Sequence, residues 1–340
     1  MRRRSPDDCG CQAGAASYRA ATLTAVIFLM RLRPVLALSF AVFFAASPAL
    51  LAAEASITID AQTGYILEKF QPDKKRQIGS VTKIATAMVV IDWASKQGGD
   101  LTQVAVVPPT AFAGTGENNI GLQPGDTATL RDLLCAALIQ SDNIAAYTLA
   151  DHVGRALHGQ MPVNSESARA TPVDDFVRQM NALAKHLGME RTRFLNPSGI
   201  DGKEKPFSTA MDVARLTKYA MNNAGFRFYV SQKEREIEFG RGSGRMRYLL
   251  RNTNELLGRD AIDGVKTGRT MKAGDCLVLS AARSSEVVQQ GASTTVTPRR
   301  LIVVVLGSND RFGEGAALLN RGWSLYDSWA AAGRPMNQKE

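Results

Sequence analysis

Cysteine and histidine are scarce in this chain. Its 340 residues hold four cysteines and three histidines. No group of them has the spacing of a metal site, so neither a metal nor another cofactor is expected. Cys9 and Cys11 fall in the leader described below and cannot staple a mature fold. Cys135 and Cys276 lie inside apolar runs and read as small buried hydrophobes, and sequence alone leaves open whether they meet. His152, His158 and His186 sit in or beside helical stretches. A Ser–His–Asp triad stays open on spacing, although nothing marks any of the three as its base. Internal repeats and a linker marking a second domain are also lacking. The formal charge of +9 is not gathered in a basic stripe, so no nucleic-acid partner is expected. Six arginines and two aspartates of residues 1–53 account for +4 of that charge, leaving +5 on the rest.

What is present begins with a leader. Met30-Arg31-Leu32-Arg33 is a short basic stretch followed by an apolar run from Val35 to Ala46, and small residues then accumulate at Ala49, Ala52, Ala53 and Ala55. This is the layout of a signal peptide cleaved near Ala53 or Ala55, with Met30 a candidate true start. The apolar run is short for a membrane span, so membrane attachment is expected only if the segment stays uncleaved. Residues 1–53 are therefore read as leader and residues 54–340 as one exported domain, periplasmic or in the cell envelope.

The mature part has strand patterns at both ends and helical patterns between. Ser56–Asp60 and Tyr65–Phe70 alternate around a glycine-containing turn, which predicts a β-hairpin. Helical spacing covers Ser80–Lys96, Leu130–Gln140, Ile144–Gly154, Pro172–Leu187, Thr209–Met221 and Gly313–Ala332. Pro108–Gly125 reads as loop and residues 155–172 as an excursion. Arg235–Phe239 and Met246–Leu250 flank a glycine-rich stretch in which Arg245 stands where a dinucleotide fingerprint needs its later glycine, so a hairpin turn is expected there. Strands are expected at Ala261–Gly268, Asp275–Arg283 and Arg300–Gly307, with Ser284–Thr297 a long hairpin between the last two. Such an order suits an α+β fold with one antiparallel sheet built from both chain ends and covered by helices.

Ser80-Val81-Thr82-Lys83 puts a hydroxyl and an amine about one helical turn apart on one face, at the head of an apolar helix. That is a nucleophile beside a base, with the helix start favouring negative charge nearby. The spacing alone is weak, because a Ser-x-x-Lys is expected about once by chance in a chain of this size. Two further short motifs raise its value: Ser141-Asp142-Asn143 at a break between apolar helices, and Lys266-Thr267-Gly268 on a strand. Singly they read as a helix cap and as the charged end of a strand. Together, in order on helix, loop and strand, they form the motif set of penicillin-binding proteins and β-lactamases.

On these residues the chain resembles the D-alanyl-D-alanine carboxypeptidases, the low-molecular-mass penicillin-binding proteins of the serine DD-peptidase group. The likeness runs from about Ala55 to the C-terminal helix and extends to Ile59–Gly64, Leu122–Asp126, Leu195–Gly199, Asp263–Thr270 and Val303–Gly307. The resemblance implies a β-lactamase/transpeptidase-like fold, with a central antiparallel sheet of about five strands and an all-helical lobe. It implies that Ser80 is acylated with loss of D-alanine. Lys83 acts as its base and Ser141 relays a proton to the leaving amine. It further implies that Asn143 binds the substrate amide and that Lys266 raises the local positive potential. Thr267 and Gly268 belong to the substrate-binding strand, with the Thr267 hydroxyl on the terminal carboxylate. The backbone N–H groups of Ser80 and Arg269 form an oxyanion hole. Arg311 matches a family arginine thought to hold that carboxylate, and reads equally as a surface arginine. The implied partners are peptidoglycan stem peptides ending in D-Ala-D-Ala, with β-lactam antibiotics as covalent inhibitors.

The fast deacylation of a class A β-lactamase needs a carboxylate in a Glu-x-x-Leu-Asn motif, and that place falls here on Thr192, ahead of Leu195-Asn196. This favours a peptidase that penicillin traps over a β-lactamase. A non-catalytic peptidoglycan-binding relative is disfavoured by intact Ser80, Lys83, Ser141 and Lys266. Familiar carboxypeptidases continue into a β-rich second domain that is not expected here. A one-domain endopeptidase cutting peptidoglycan cross-links is the alternative.

Overall fold

A computed structural model describes residues 53–98, 100–113, 116, 118–158, 170–291 and 293–336. The leader expected over residues 1–53, with Met30 and its two cysteines, lies outside the described residues except for Ala53, as does most of the expected excursion. The first sheet has five strands in the order β2-β1-β9-β8-β7. β1 (Ala55–Asp60) and β2 (Ile66–Phe70) come from the start of the described chain, and β7 (Ile262–Thr270), β8 (Gly274–Gln290) and β9 (Ser293–Ser308) from its end. All neighbours are antiparallel, and β1 pairs with β9 through Ala55↔Leu306 to Asp60↔Leu301. The five-strand sheet expected from both chain ends is therefore present. Its inner strands read as unbroken apolar runs because both faces are covered, as Leu301–Leu306 shows with six fully buried side chains in a row.

On one face lies α7 (Arg311–Ala331), N-capped by the Asp310 side chain on the Gly313 amide. Two glycines spaced seven apart let it sit close to the sheet. A Cβ at Gly315 would come within 2.7 Å of the Leu277 side chain, and one at Gly322 within 2.7 Å of Thr58. On the other face the helices gather around α1 (Lys83–Lys96), which is buried from Lys83 through Ile91 and has no polar face along that length. Around α1 stand α2 (Leu130–Ile139), α3 (Asn143–His158), α4 (Pro172–His186) and α5 (Ala210–Asn222). Their starts follow from sequence. Thr129, Thr171 and Thr209 each accept from the amide three residues on, and Thr171 with Asp174 completes a capping box ahead of Pro172.

Four features depart from the sequence expectation. The helix expected from Ser80 begins at Lys83, and Ser80 sits in a single 3₁₀ turn, Gly79–Thr82. Gly79 takes a left-handed conformation there, φ 53°, which an α-helix cannot continue from. A second sheet, β3-β4-β5-β6, joins the expected hairpin of β5 (Glu234–Arg241) and β6 (Gly244–Arg251) to β3 (Val104–Val106) and β4 (Thr127–Thr129). Three-residue strands are too short to show a period. A short helix, α6 (Ala224–Val230), follows α5 through an Asn223 cap. Finally, α3 runs on to His158, past the expected end at Gly154.

The close seat of α7 is testable. Gly322→Leu drives a side chain into Thr58 and Leu301, and overpacking of this kind costs about 2 kcal/mol. The expected outcome is a lower urea midpoint at unchanged slope, and an unshifted midpoint would mean that α7 can lift at no cost.

Candidate active site

The 3₁₀ turn that carries Ser80 is pressed between two other segments by glycines. A Cβ on Gly268 of β7 would meet the Ile78 carbonyl at 2.6 Å and the Val81 amide at 3.1 Å, so only glycine lets the strand come this near. A Cβ on Gly199 would meet the Gly79 carbonyl at 2.0 Å. The turn Asn196–Gly199 is itself held from α1. Lys83 donates from Nζ to the Ser198 carbonyl at 3.2 Å and Thr86 from its hydroxyl to the Pro197 carbonyl at 2.6 Å, while Asn196 Oδ1 accepts from the Gly199 amide at 2.7 Å. In the sequence this segment stands out only as one of the stretches that carry the family resemblance. Its Ser198 carbonyl helps anchor the buried amine, and its Pro197 carbonyl ties the turn to α1.

Lys83 is fully buried, and its Nζ donates to Ser80 Oγ at 2.9 Å and to Asn143 Oδ1 at 2.7 Å. Asn143 opens α3 at the break predicted between helices. The break is held by Asp142, whose carboxylate accepts from the Ala145 amide at 2.7 Å and the Ile120 amide at 3.2 Å. Burial pushes the Asp142 carboxyl above its ordinary value, and those amides pull the other way. Ser141 beside it has φ 65°, a left-handed backbone that a non-glycine residue holds only where its surroundings impose it.

From the opposite wall, β7 brings Lys266 almost fully buried, with Nζ donating to the Thr267 carbonyl at 3.0 Å. Burial, then the charges of Lys83 and Arg311, hold the Lys266 ammonium well below the usual lysine range. Between the walls opens a cleft of about 590 Å³, onto which Ser80, Ser141, Asn143, Thr267, Gly268, Arg269 and Arg311 all face. Arg311 Nη1 lies 3.2 Å from the Gly268 carbonyl and 3.5 Å from Asp275, which also pairs with Arg269. The nine residues singled out in the sequence thus meet, seven lining the cleft and the two lysines standing behind it. Among the described residues no cluster of His, Cys, Asp and Glu is placed to hold a metal ion, and Cys135 and Cys276 are buried and free.

The sequence reading missed Thr253, Gln140, Asn119 and Asp201 on the same cleft. Thr253 Oγ1 lies 2.6 Å from the Thr267 hydroxyl. Gln140 bridges the Tyr248 hydroxyl at 2.8 Å and the Arg251 amide at 3.1 Å, fastening the second sheet to the SDN break. The signal for Thr253 was a run of turn-formers, Asn252-Thr253-Asn254, after β6. Thr192 lies away from the cleft, its hydroxyl bonded to Ser208 and Asp212.

A serine hydroxyl held by a buried amine, facing a cationic cleft beside backbone N–H groups, is equipped for acyl transfer. A family model described as D-alanyl-D-alanine carboxypeptidase (Peptidase_S11) matches residues 42–309. The D-alanyl-D-alanine carboxypeptidase DacC of Escherichia coli is 32% identical over 81% of this chain, and a D-alanyl-D-alanine endopeptidase of Pseudomonas aeruginosa is 29% identical over 67%. This chain spans 62% of the length of DacC and 67% of that of the endopeptidase. The crystal structure of the Streptomyces K15 DD-transpeptidase superposes with a TM-score of 0.66 at 28% identity, covering 81% of this chain and 98% of that one. Penicillin-binding protein D2 of Listeria monocytogenes in its ampicillin-bound form gives 0.59 at 25% identity, covering 82% of this chain and all of that one. With a matched segment that takes in all three motifs, the chain belongs to the D-alanyl-D-alanine carboxypeptidase family of serine peptidases.

Proposed function

We propose that this chain is a serine-type D-Ala-D-Ala carboxypeptidase that trims peptidoglycan stem peptides and is trapped by penicillins. The observation that carries the reading is the 2.9 Å contact between Lys83 Nζ and Ser80 Oγ at the floor of a cleft walled by Thr267-Gly268-Arg269. Lys83 takes the Ser80 proton as Oγ attacks the carbonyl of the penultimate D-alanine. The oxyanion accepts from the Ser80 and Arg269 amides. Ser141 passes a proton to the leaving amine, the C–N bond breaks, D-alanine departs, and water then hydrolyses the ester on Ser80. Thr267 donates to the terminal carboxylate in a field set by Lys266 and Arg311, and Thr253, on the same cleft, orients the Thr267 hydroxyl through their 2.6 Å contact. The ampicillin-bound relative supports β-lactams as covalent inhibitors, and Thr192 offers no carboxylate to free the enzyme from them. The proposed substrate and the signal-peptide layout of residues 1–53 support work in the cell envelope, outside the cytoplasmic membrane. Among the described residues no helix is long and apolar enough to cross a membrane.

The likeness to an endopeptidase keeps one second reading in view, a DD-endopeptidase cutting cross-links by the same serine chemistry. Product analysis on uncross-linked and cross-linked muropeptides separates the two: free D-alanine from the former supports the carboxypeptidase, and cleavage of only the latter the endopeptidase.

Intact-mass spectrometry of the purified protein with a penicillin is expected to show one covalent adduct, lost in Ser80→Ala and in Lys83→Ala. An adduct that persists in Ser80→Ala would defeat the assignment. Thr253→Val removes one hydroxyl–hydroxyl bond of the carboxylate site, worth about 1 kcal/mol. It should raise KM for a D-Ala-D-Ala peptide about fivefold while Ser80 still acylates. An unmoved KM would show that Thr267 needs no such partner.

A further inference from the structure

Ser141 lines the cleft with a left-handed backbone, φ 65°. A residue with a Cβ keeps that conformation only while the chain on either side of it is fixed. Both sides are fixed to one short stretch, Asn119-Ile120. Before Ser141, the Gln140 carbonyl accepts from Asn119 Nδ2 at 3.2 Å. After it, the Asp142 carboxylate accepts from the Ile120 amide at 3.2 Å. Asn119-Ile120 thus lies alongside Ser141 as a splint, tied to the residue on each side of the relay hydroxyl.

What holds the splint comes from the second sheet. The Tyr248 hydroxyl, on β6, donates to the Asn119 carbonyl at 3.1 Å and accepts from Gln140 Nε2 at 2.8 Å. Gln140 Nε2 also reaches the Asn119 carbonyl at 3.4 Å, and Gln140 Oε1 accepts from the Arg251 amide at 3.1 Å. One phenol oxygen therefore closes a ring of three residues, Tyr248, Gln140 and Asn119. Without it, the Gln140 amide loses its shortest contact, and the Asn119 carbonyl is left with the longer one from Gln140. The aromatic ring below that oxygen packs on the apolar core and stands opposite Ile237 of β5, so the hydroxyl is offered from a supported strand. Gln140 and Asn119 line the cleft and can touch whatever fills it, whereas Tyr248 is not a lining residue. Any influence of Tyr248 on the chemistry has to pass through them.

A relay is sensitive to such support. Its hydroxyl must stay within hydrogen-bond reach of a donor and of the leaving nitrogen together, and a small displacement breaks one of the two contacts. We infer that Tyr248 is a positioning residue, whose hydroxyl locks the Gln140–Asn119 brace and so keeps Ser141 in the backbone conformation from which it hands a proton to the leaving amine. The inference rests on the carboxypeptidase reading and on the relay role of Ser141, and its test keeps them apart.

Tyr248→Phe keeps the ring and its packing and removes one oxygen. On the full-length protein with an acetylated peptide ending in D-Ala-D-Ala, kcat for D-alanine release is expected to fall about tenfold while KM stays within about twofold, because the lost contact is not one the substrate makes. Penicillin acylation of Ser80 should slow by a similar factor, since the lactam nitrogen needs the same proton. The decisive comparison is made on Ser141→Ala. With no hydroxyl left to position, adding Tyr248→Phe should slow acylation less than about twofold further, whereas two independent defects multiply. An unchanged kcat in Tyr248→Phe overturns the inference, as does a loss that recurs in full on Ser141→Ala, the mark of general loosening. A Ser141→Ala protein that acylates at the wild-type rate overturns it too, because nothing would be left to position. Failure of penicillin to acylate wild-type Ser80 would instead sink the carboxypeptidase reading itself.

Discussion

Burying two lysine amines in one cleft is the constraint on which the rest of the structure turns. An ammonium out of water is costly unless its protons find acceptors, and two of them a few residues from each other's walls repel as well. The molecule meets this by building acceptors around each. Ser80, Asn143 and the Ser198 carbonyl surround Lys83, and the Thr267 carbonyl serves Lys266. Each acceptor comes from a different segment, so 3₁₀ turn, α3, the Asn196–Gly199 turn and β7 are all pinned to one place. An anionic substrate entering such a site gains from a field that the fold has already set up, and no reorganisation is needed when charge develops on the reacting carbonyl.

Glycine does the complementary work. Gly199 and Gly268 come from separate segments, yet each faces backbone of the Ser80 turn at a distance no side chain could share, and Gly79 within that turn holds a left-handed φ with Arg269 close by. This is why the lysine–threonine–glycine triplet ends as it does: its threonine faces the cleft and its lysine is buried behind it, while its glycine lets the strand that carries them touch the turn of Ser80. Chemistry and packing are thus written into the same three letters.

Much of this was legible in the sequence. The three triplets could be picked out because their residue types are reactive and their spacing matches a known chemical set, and the five-stranded sheet because its strands are long and apolar. The parts that escaped reading share a physical reason. β3 and β4 are too short for a period, and the 3₁₀ turn ahead of α1 depends on a left-handed Gly79 inside an otherwise helical pattern. Thr253 and Tyr248 are ordinary residues whose meaning comes only from what they lie against, Thr267 in one case and the Gln140–Asn119 pair in the other. Composition and spacing hold no record of such contacts.

The pairing of β1 with β9 also sets the order in which the molecule can be made. Ile57 lies opposite Val304, so the first strand of the sheet waits for the last before either has its central neighbour. Closing so long a loop precedes any gain from the contacts it permits, which places this sheet among slow-forming, high-contact-order structures. β7, with Lys266, is ordered against β8, and β8 against β9. The helix after Ser80 can therefore form early, but the wall that completes the cleft arrives only when the end of the chain does. A partly synthesised chain holds Ser80 and Lys83 without the strand that walls their cleft.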